Sequence, residues 1–134
     1  MKVGVDLDGI ISRAGLYNPS LRLPSWLFIF LVPLVLLMTP NKRVIAGLKE
    51  IENSGHQIII ISARPSWMTE LSERWLKRHG VPYNEIFCVG FGKGTKLRKL
   101  ETIKREKIEL FFDDNDRIVE FLNQNFIGAT TNFL

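Results

Sequence analysis

Apolar residues along this chain follow two spacings that take turns. Short apolar runs occupy residues 3–7, 57–61, 86–89, 108–112 and 126–130, and each reads as a strand. Between them, apolar positions recur every three to four residues. Over 41–53 these are Val44, Ile45, Leu48 and Ile51, with Lys and Glu opposite, and Gly55 comes next as a stop. The same period predicts helices over 66–79, closed by Gly80 and Pro82, over 95–106 with Leu97, Leu100 and Ile103 inward, and over 116–123 with Ile118, Val119 and Leu122 inward. Strands that alternate with helices in this way form a parallel sheet covered on both faces. The expected fold is therefore α/β: a three-layer, doubly wound (Rossmann-like) parallel sheet of about five strands in a single domain over residues 1–134.

One stretch breaks the pattern. From Leu23 to Asn41 there is no charged residue, and Trp26 to Met38 reads WLFIFLVPLVLLM. Pro24, Pro33 and Pro40 interrupt it, and a single membrane crossing would separate the first strand from the rest of the sheet. The segment is expected to leave and return on the same side. Three readings stay open: a hairpin or amphipathic element at a membrane surface, flanked by Arg13, Arg22, Lys42 and Arg43; an oligomer interface; or a piece of the core.

Composition narrows the class without naming it. The 134 residues are 46% hydrophobic and 24% charged, with a net charge of +4, as in an ordinary folded domain of mildly basic character. The lone Cys88 excludes an intrachain disulfide and a cysteine-built zinc site; within EIFCVGF it reads as a small apolar residue. His56 and His79 lack partners at metal-ligand spacing. The N-terminus opens on a strand, so a cytoplasmic location, peripheral at the membrane if the apolar segment binds there, is the expectation. The basic segment over 93–107 interleaves Glu101 and Glu106 among its lysines and reads as a solvated helix face, so nucleic acid is not expected as a partner.

In an open parallel sheet, ligands bind beyond the carboxyl ends of the strands. Those ends carry Asp6 and Asp8, then Ser62 and Arg64, then Lys93 and Lys96, then Asp113, Asp114 and Asp116. Carboxylates gathered at one edge repel unless a cation joins them, and oxygen ligands without His or Cys suit magnesium. A lysine, an arginine and a hydroxyl beside that ion suit a phosphate group. One carboxylate can attack phosphorus while a second moves protons.

These residues resemble the haloacid dehalogenase superfamily. VGVDLDGI is similar to its first motif, Asp-x-Asp after an apolar strand; IIIISAR to the second, a strand ending in a hydroxyl; the lysine opening the 95–106 helix to the third; and ELFFDDND to the fourth. The four occur in order over nearly the whole chain, except for residues 12–40, where this superfamily inserts a cap. The resemblance implies a magnesium-dependent phosphatase acting on a small phosphomonoester through an aspartyl-phosphate. Asp6 is then the nucleophile and a magnesium ligand. Asp8 is the general acid and base, and its backbone carbonyl is a further ligand. Ser62, with Ala63 and Arg64 after it, binds phosphate; for Arg64 a salt bridge is the competing reading. Lys96 holds the phosphoryl group, with Lys93 as the alternative. Asp113 and Asp114 complete the metal site, and Asp116 either joins them or begins a helix.

Two positions depart from the common pattern. Ile10 comes after Gly9 where Thr or Val is usual, and the acids of the fourth motif are adjacent, as in a nucleotidase-like branch. The rival readings are a lipid- or polyprenyl-phosphate phosphatase at the membrane and a non-catalytic scaffold of the same fold. Replacing Leu27, Phe30 and Leu34 with serine tests the membrane reading. The parent chain should pellet with anionic liposomes and the variant should not; negligible pelleting of both removes that reading.

Overall fold

The computed structural model describes residues 1–12, 38–125 and 128–131. Its elements run β1 (Lys2–Val5), α1 (Lys42–Asn53), β2 (Gln57–Ser62), a 3₁₀ turn (Ser66–Met68), α2 (Thr69–Arg78), β3 (Glu85–Cys88), α3 (Thr95–Arg105), β4 (Leu110–Phe112), α4 (Asp116–Gln124) and β5 (Gly128–Thr130). All strand pairs are parallel, in the order β3-β2-β1-β4-β5. This is the expected five-stranded, doubly wound α/β fold. The apolar insertion expected over 12–40 lies outside the described residues except at Ser12 and at Met38–Pro40.

The isoleucine run of β2 shows why the sheet is covered twice. Ile58 and Ile60 enter one core with Val3, Val5, Leu48 and Trp75, while Ile59 and Ile61 enter the other with Ile103, Phe111, Ile118 and Leu122. Helices α1 and α2 cover the first face, and α3 and α4 the second. All four isoleucines are at most 1% exposed, and burying each is worth about 1.5–3 kcal/mol. A strand with both faces buried has no polar side, so an uninterrupted apolar run was its sequence signature.

Several local expectations shift. The segment over 66–79 is a 3₁₀ turn leading into α2, because Pro65 holds extended backbone and the chain enters through a tighter turn. The strand read over 3–7 ends at Val5 as a ladder, although the Asp6 amide still donates to the Phe112 carbonyl at 2.8 Å. On α3, Leu97 points outward (53% exposed), whereas Thr95, Lys99, Leu100, Thr102 and Ile103 face inward. Leu97 lies two residues before Lys99, about 200° away around the helix, so both cannot face the sheet.

The strand order decides which residues meet at the carboxyl edge. The central strand β1 lies between β2 and β4, so the residues just past Val5, Ser62 and Phe112 emerge side by side. Ile60→Ala should lower unfolding free energy by about 2–5 kcal/mol in urea melts with an unchanged slope. A loss below about 1 kcal/mol would show that the two cores repack around the gap.

Candidate active site at the carboxyl edge of the sheet

Asp6 lies just past β1, Asp113 and Asp114 just past β4, and one carboxylate oxygen from each lies within 4.8 Å of the others. Asp6 and Asp113 are buried, while Asp114 is exposed at the mouth of the cluster. Gly9 makes room for Asp114. Its φ of +88° belongs to the left-handed region, and a Cβ there would collide with the Asp114 carboxylate. On the inner side, the Asn115 amide donates to Asp113 Oδ1 at 2.9 Å, and the Asn115 side chain caps α4.

A single lysine joins these acids. Lys99 Nζ donates to Asp113 Oδ2 at 2.6 Å and to Asp6 Oδ1 at 3.3 Å, with only 1% of the residue exposed. It enters from the second turn of α3. The Thr95 hydroxyl braces the start of that helix by donating to the carbonyls of Gly90 and Gly92. The lysine expected here was Lys96, or Lys93 in its place; both are exposed. The Lys96 ammonium lies 5.0 Å from the centre of the Phe121 ring, and neither lysine forms an ion pair with the acids among the described residues. The correction is one helical turn: Lys99 lies on the inward stripe and Lys96 does not. Thr95, Lys99 and Thr102, spaced i, i+4 and i+7, were the available signal.

Asp8 stands in different company. Arg64 Nη2 donates to Asp8 Oδ1 at 2.7 Å and Arg64 Nε to Oδ2 at 3.0 Å, a two-pronged ion pair in which the arginine is fully buried. Arg64 Nη1 donates to the Ser72 hydroxyl on α2 at 2.9 Å. Of the two readings of Arg64, the structure shows the salt bridge. Ser62 is buried at the end of β2, its Oγ accepting from the Arg64 amide at 3.1 Å, and Ala63 is buried beside it. Asp116 is exposed in the first turn of α4, where the helix dipole favours an acid, and forms no ion pair with the cluster among the described residues. Cys88 is a half-buried thiol, pushed up in pKa mainly by burial. Among the described residues, no helix is long and apolar enough to cross a membrane.

The electrostatics of the cluster are unfinished. Four carboxylates face two cations, Lys99 and Arg64. Burial, and then the Asp113 charge, hold the Asp6 carboxyl well above its ordinary range, with Lys99 opposing. Partial burial and Asp113 also raise Asp114. Burial works against the Lys99 charge, yet Asp6 and Asp113 keep its pKa above the ordinary value. Three carboxylates with only oxygen donors and surplus negative charge fit a hard divalent cation. The Asp8 carboxylate is not part of that group.

The comparisons with known proteins bear on the fold and on the relatives. No family model matches the chain. It is 33% identical over 85 residues to a protein of Bacillus cereus provisionally named a nucleotidase, covering 63% of this chain and 43% of that one. It is 34% identical over 59 residues to a similarly named protein of Halalkalibacterium halodurans, covering 44% and 28%. The chain thus spans less than half the length of the curated relatives it matches. Among solved structures, it matches a chain of the Pnkp1/Rnl/Hen1 RNA repair complex with a TM-score of 0.73 at 21% identity, over 98% of this chain and 42% of that one. It also matches a D,D-heptose 1,7-bisphosphate phosphatase of B. bronchiseptica, complexed with magnesium and phosphate, with a TM-score of 0.66 at 10% identity over 96% and 79%.

The raised carboxyls give a signed expectation. In the metal-free folded protein, Asp6 and Asp114 keep their protons to higher pH than in the unfolded chain, mainly because of burial. Stability should therefore fall as pH rises through and above the ordinary carboxylate range. A magnesium ion held by these acids would compete with those protons. Its stabilisation in differential scanning calorimetry should be larger near pH 8 than near pH 5. An equal shift at both would show that these acids are not linked to metal binding.

Proposed function

Taking its haloacid dehalogenase fold as the starting point, we propose that this chain is a magnesium-dependent phosphatase acting through an aspartyl-phosphate on Asp6. The single observation that carries this reading is the buried Lys99 held between Asp6 and Asp113, with Asp114 beside them. A fold scaffold with no chemistry to perform gains little from such an arrangement, because clustering carboxylates in a buried site is unfavourable.

The steps come from the side chains. A phosphomonoester lies with its phosphorus against Asp6 and its oxygens toward Lys99 and the Ser62 hydroxyl. An Asp6 oxygen attacks phosphorus, and the ester P–O bond breaks with its electron pair on the departing oxygen. That oxygen takes the proton of the Asp8 carboxyl. Asp8, now a carboxylate, takes a proton from water as the water oxygen attacks the same phosphorus. The bond to Asp6 breaks, and inorganic phosphate leaves with both aspartates restored. Magnesium, held by Asp6, Asp113 and Asp114, supplies neutralising charge to the phosphoryl oxygens when bound. Lys99 offsets part of the negative charge of Asp6 and of the phosphoryl oxygens, so attack by one anion on another is less opposed.

A nucleotide or another small phosphomonoester is the substrate class, in keeping with the relatives named as nucleotidases. A lipid-linked phosphate is the second reading, favoured by the uncharged stretch over 23–40, through which a membrane surface or a second copy would bind. The chain is read as one cytoplasmic hydrolase domain with residues 12–40 as its insertion. Nucleic acid is not expected as a partner in this reading, because Glu101 and Glu106 interleave the lysines of the basic segment over 93–107.

With magnesium and p-nitrophenyl phosphate, Asp6→Asn should abolish turnover, and Lys99→Met should lower it by about 10²-fold or more. Activity untouched by Asp6→Asn refutes the nucleophile. Activity untouched by Lys99→Met refutes the role of the buried lysine.

A further inference from the structure

The two aspartates of the first motif lie two residues apart, yet each has its own cation. Lys99 serves Asp6, and Arg64 serves Asp8. The second pair has a geometry the first lacks. A planar guanidinium meets both Asp8 oxygens and is anchored on its remaining nitrogen by Ser72. Its Nη2 also lies 3.5 Å from the Met38 sulfur. Arg64 therefore links the loop after β1 to helix α2 through a fully buried side chain.

From this geometry we infer that Arg64 is a positioning residue for Asp8 rather than a ligand of the substrate phosphate, and that Ser72 holds Arg64 in that role. This inference rests on the phosphatase reading above. Asp8 lies past the end of β1, in the tight loop where the Gly9 amide donates to the Ser12 carbonyl. No regular strand fixes its side chain there, whereas a fork contacting both oxygens sets the carboxyl plane. Proton transfer engages one Asp8 oxygen at a time. While Asp8 holds its proton, the fork keeps one prong on the unprotonated oxygen; the second prong closes when the proton leaves, while the bond from Nη1 to Ser72 keeps the guanidinium in place. A lysine has no second prong and cannot set that plane.

The consequence is selective. A correctly placed proton donor matters when the leaving group is a poor one. An alkyl phosphate must have its departing alkoxide protonated, but p-nitrophenolate leaves without a proton. The kcat/KM of each ester reports the first transfer to Asp6. Arg64→Lys should cut kcat/KM for an alkyl phosphomonoester such as glycerol phosphate by about 10²-fold, and for p-nitrophenyl phosphate by less than about 5-fold. The inhibition constant of inorganic phosphate should stay unchanged. Asp8→Asn sets the full size of the effect on the alkyl ester, and it should also lower kcat on both esters because it removes the base for the water attack. Ser72→Ala, which keeps the ion pair, should give a weaker form of it, about 3–10-fold on the alkyl ester alone. It carries the test if Arg64→Lys does not fold.

Equal losses on both esters, no loss on either, or a weakened inhibition by phosphate would each overturn the positioning role. A parent protein that hydrolyses neither ester removes the phosphatase reading and the inference with it. A parent that hydrolyses both, with variants that lose both equally, removes the inference alone.

Discussion

The site depends on one buried ammonium. The parallel topology delivers Asp6, Asp113 and Asp114 to the same few ångströms, where three like charges in a half-dry setting would push the strand ends apart. Lys99 offsets two of them from inside the fold and so allows β1 and β4 to keep their register up to the last residue. It does not offset all of them. Burial first, and then the Asp113 charge, leave the Asp6 and Asp114 carboxyls elevated in pKa, an arrangement that suits a divalent cation bound from the open side. Breaking such a pair from one side costs about 3–5 kcal/mol, so Lys99 contributes to folding as well as to the proposed chemistry.

A second division grows out of the first. Asp6 and Asp8 are the same residue type, two positions apart in the chain, yet the proposed mechanism gives them opposite tasks: one attacks as an anion, the other hands over a proton. Sequence distance cannot separate their environments, but their partners can. A point charge that donates to two different carboxylates leaves Asp6 with open lone pairs. A planar fork on a single carboxylate fixes direction instead. Gly9 completes the arrangement, since only a residue without a Cβ lets Asp114 approach the loop after β1.

The fold was legible because both layers leave periodic traces. The unbroken isoleucines of β2 and the 3.6-residue stripes of α1 and α4 report burial directly. The acids were legible too, since each comes just after a strand and the topology rule places strand ends together. Lys99 was harder to see. A lysine on an inward stripe contradicts the rule that charge faces water, so Lys96, at the solvated start of the helix, looked the better candidate. Burial of a charge is decided by a partner far away in sequence, and Asp6 is 93 residues from Lys99. Arg64 posed the same problem: its motif placed it at the site, but only the position of Ser72 on α2 decides which way the guanidinium turns.

The ends of the apolar segment bear on this geometry. Ser12 bridges Pro40, the Asn41 amide donates to the Ile11 carbonyl at 2.7 Å, and the segment between therefore departs and returns at one point. That point is not remote from the chemistry. Met38 accepts from Trp75 Nε1 through its carbonyl, and its sulfur contacts both the Ser12 hydroxyl and the Arg64 guanidinium. The return anchor thus rests on the same arginine that holds Asp8. In the proposed mechanism that arginine positions the proton donor, so the return anchor and the donor share one side chain.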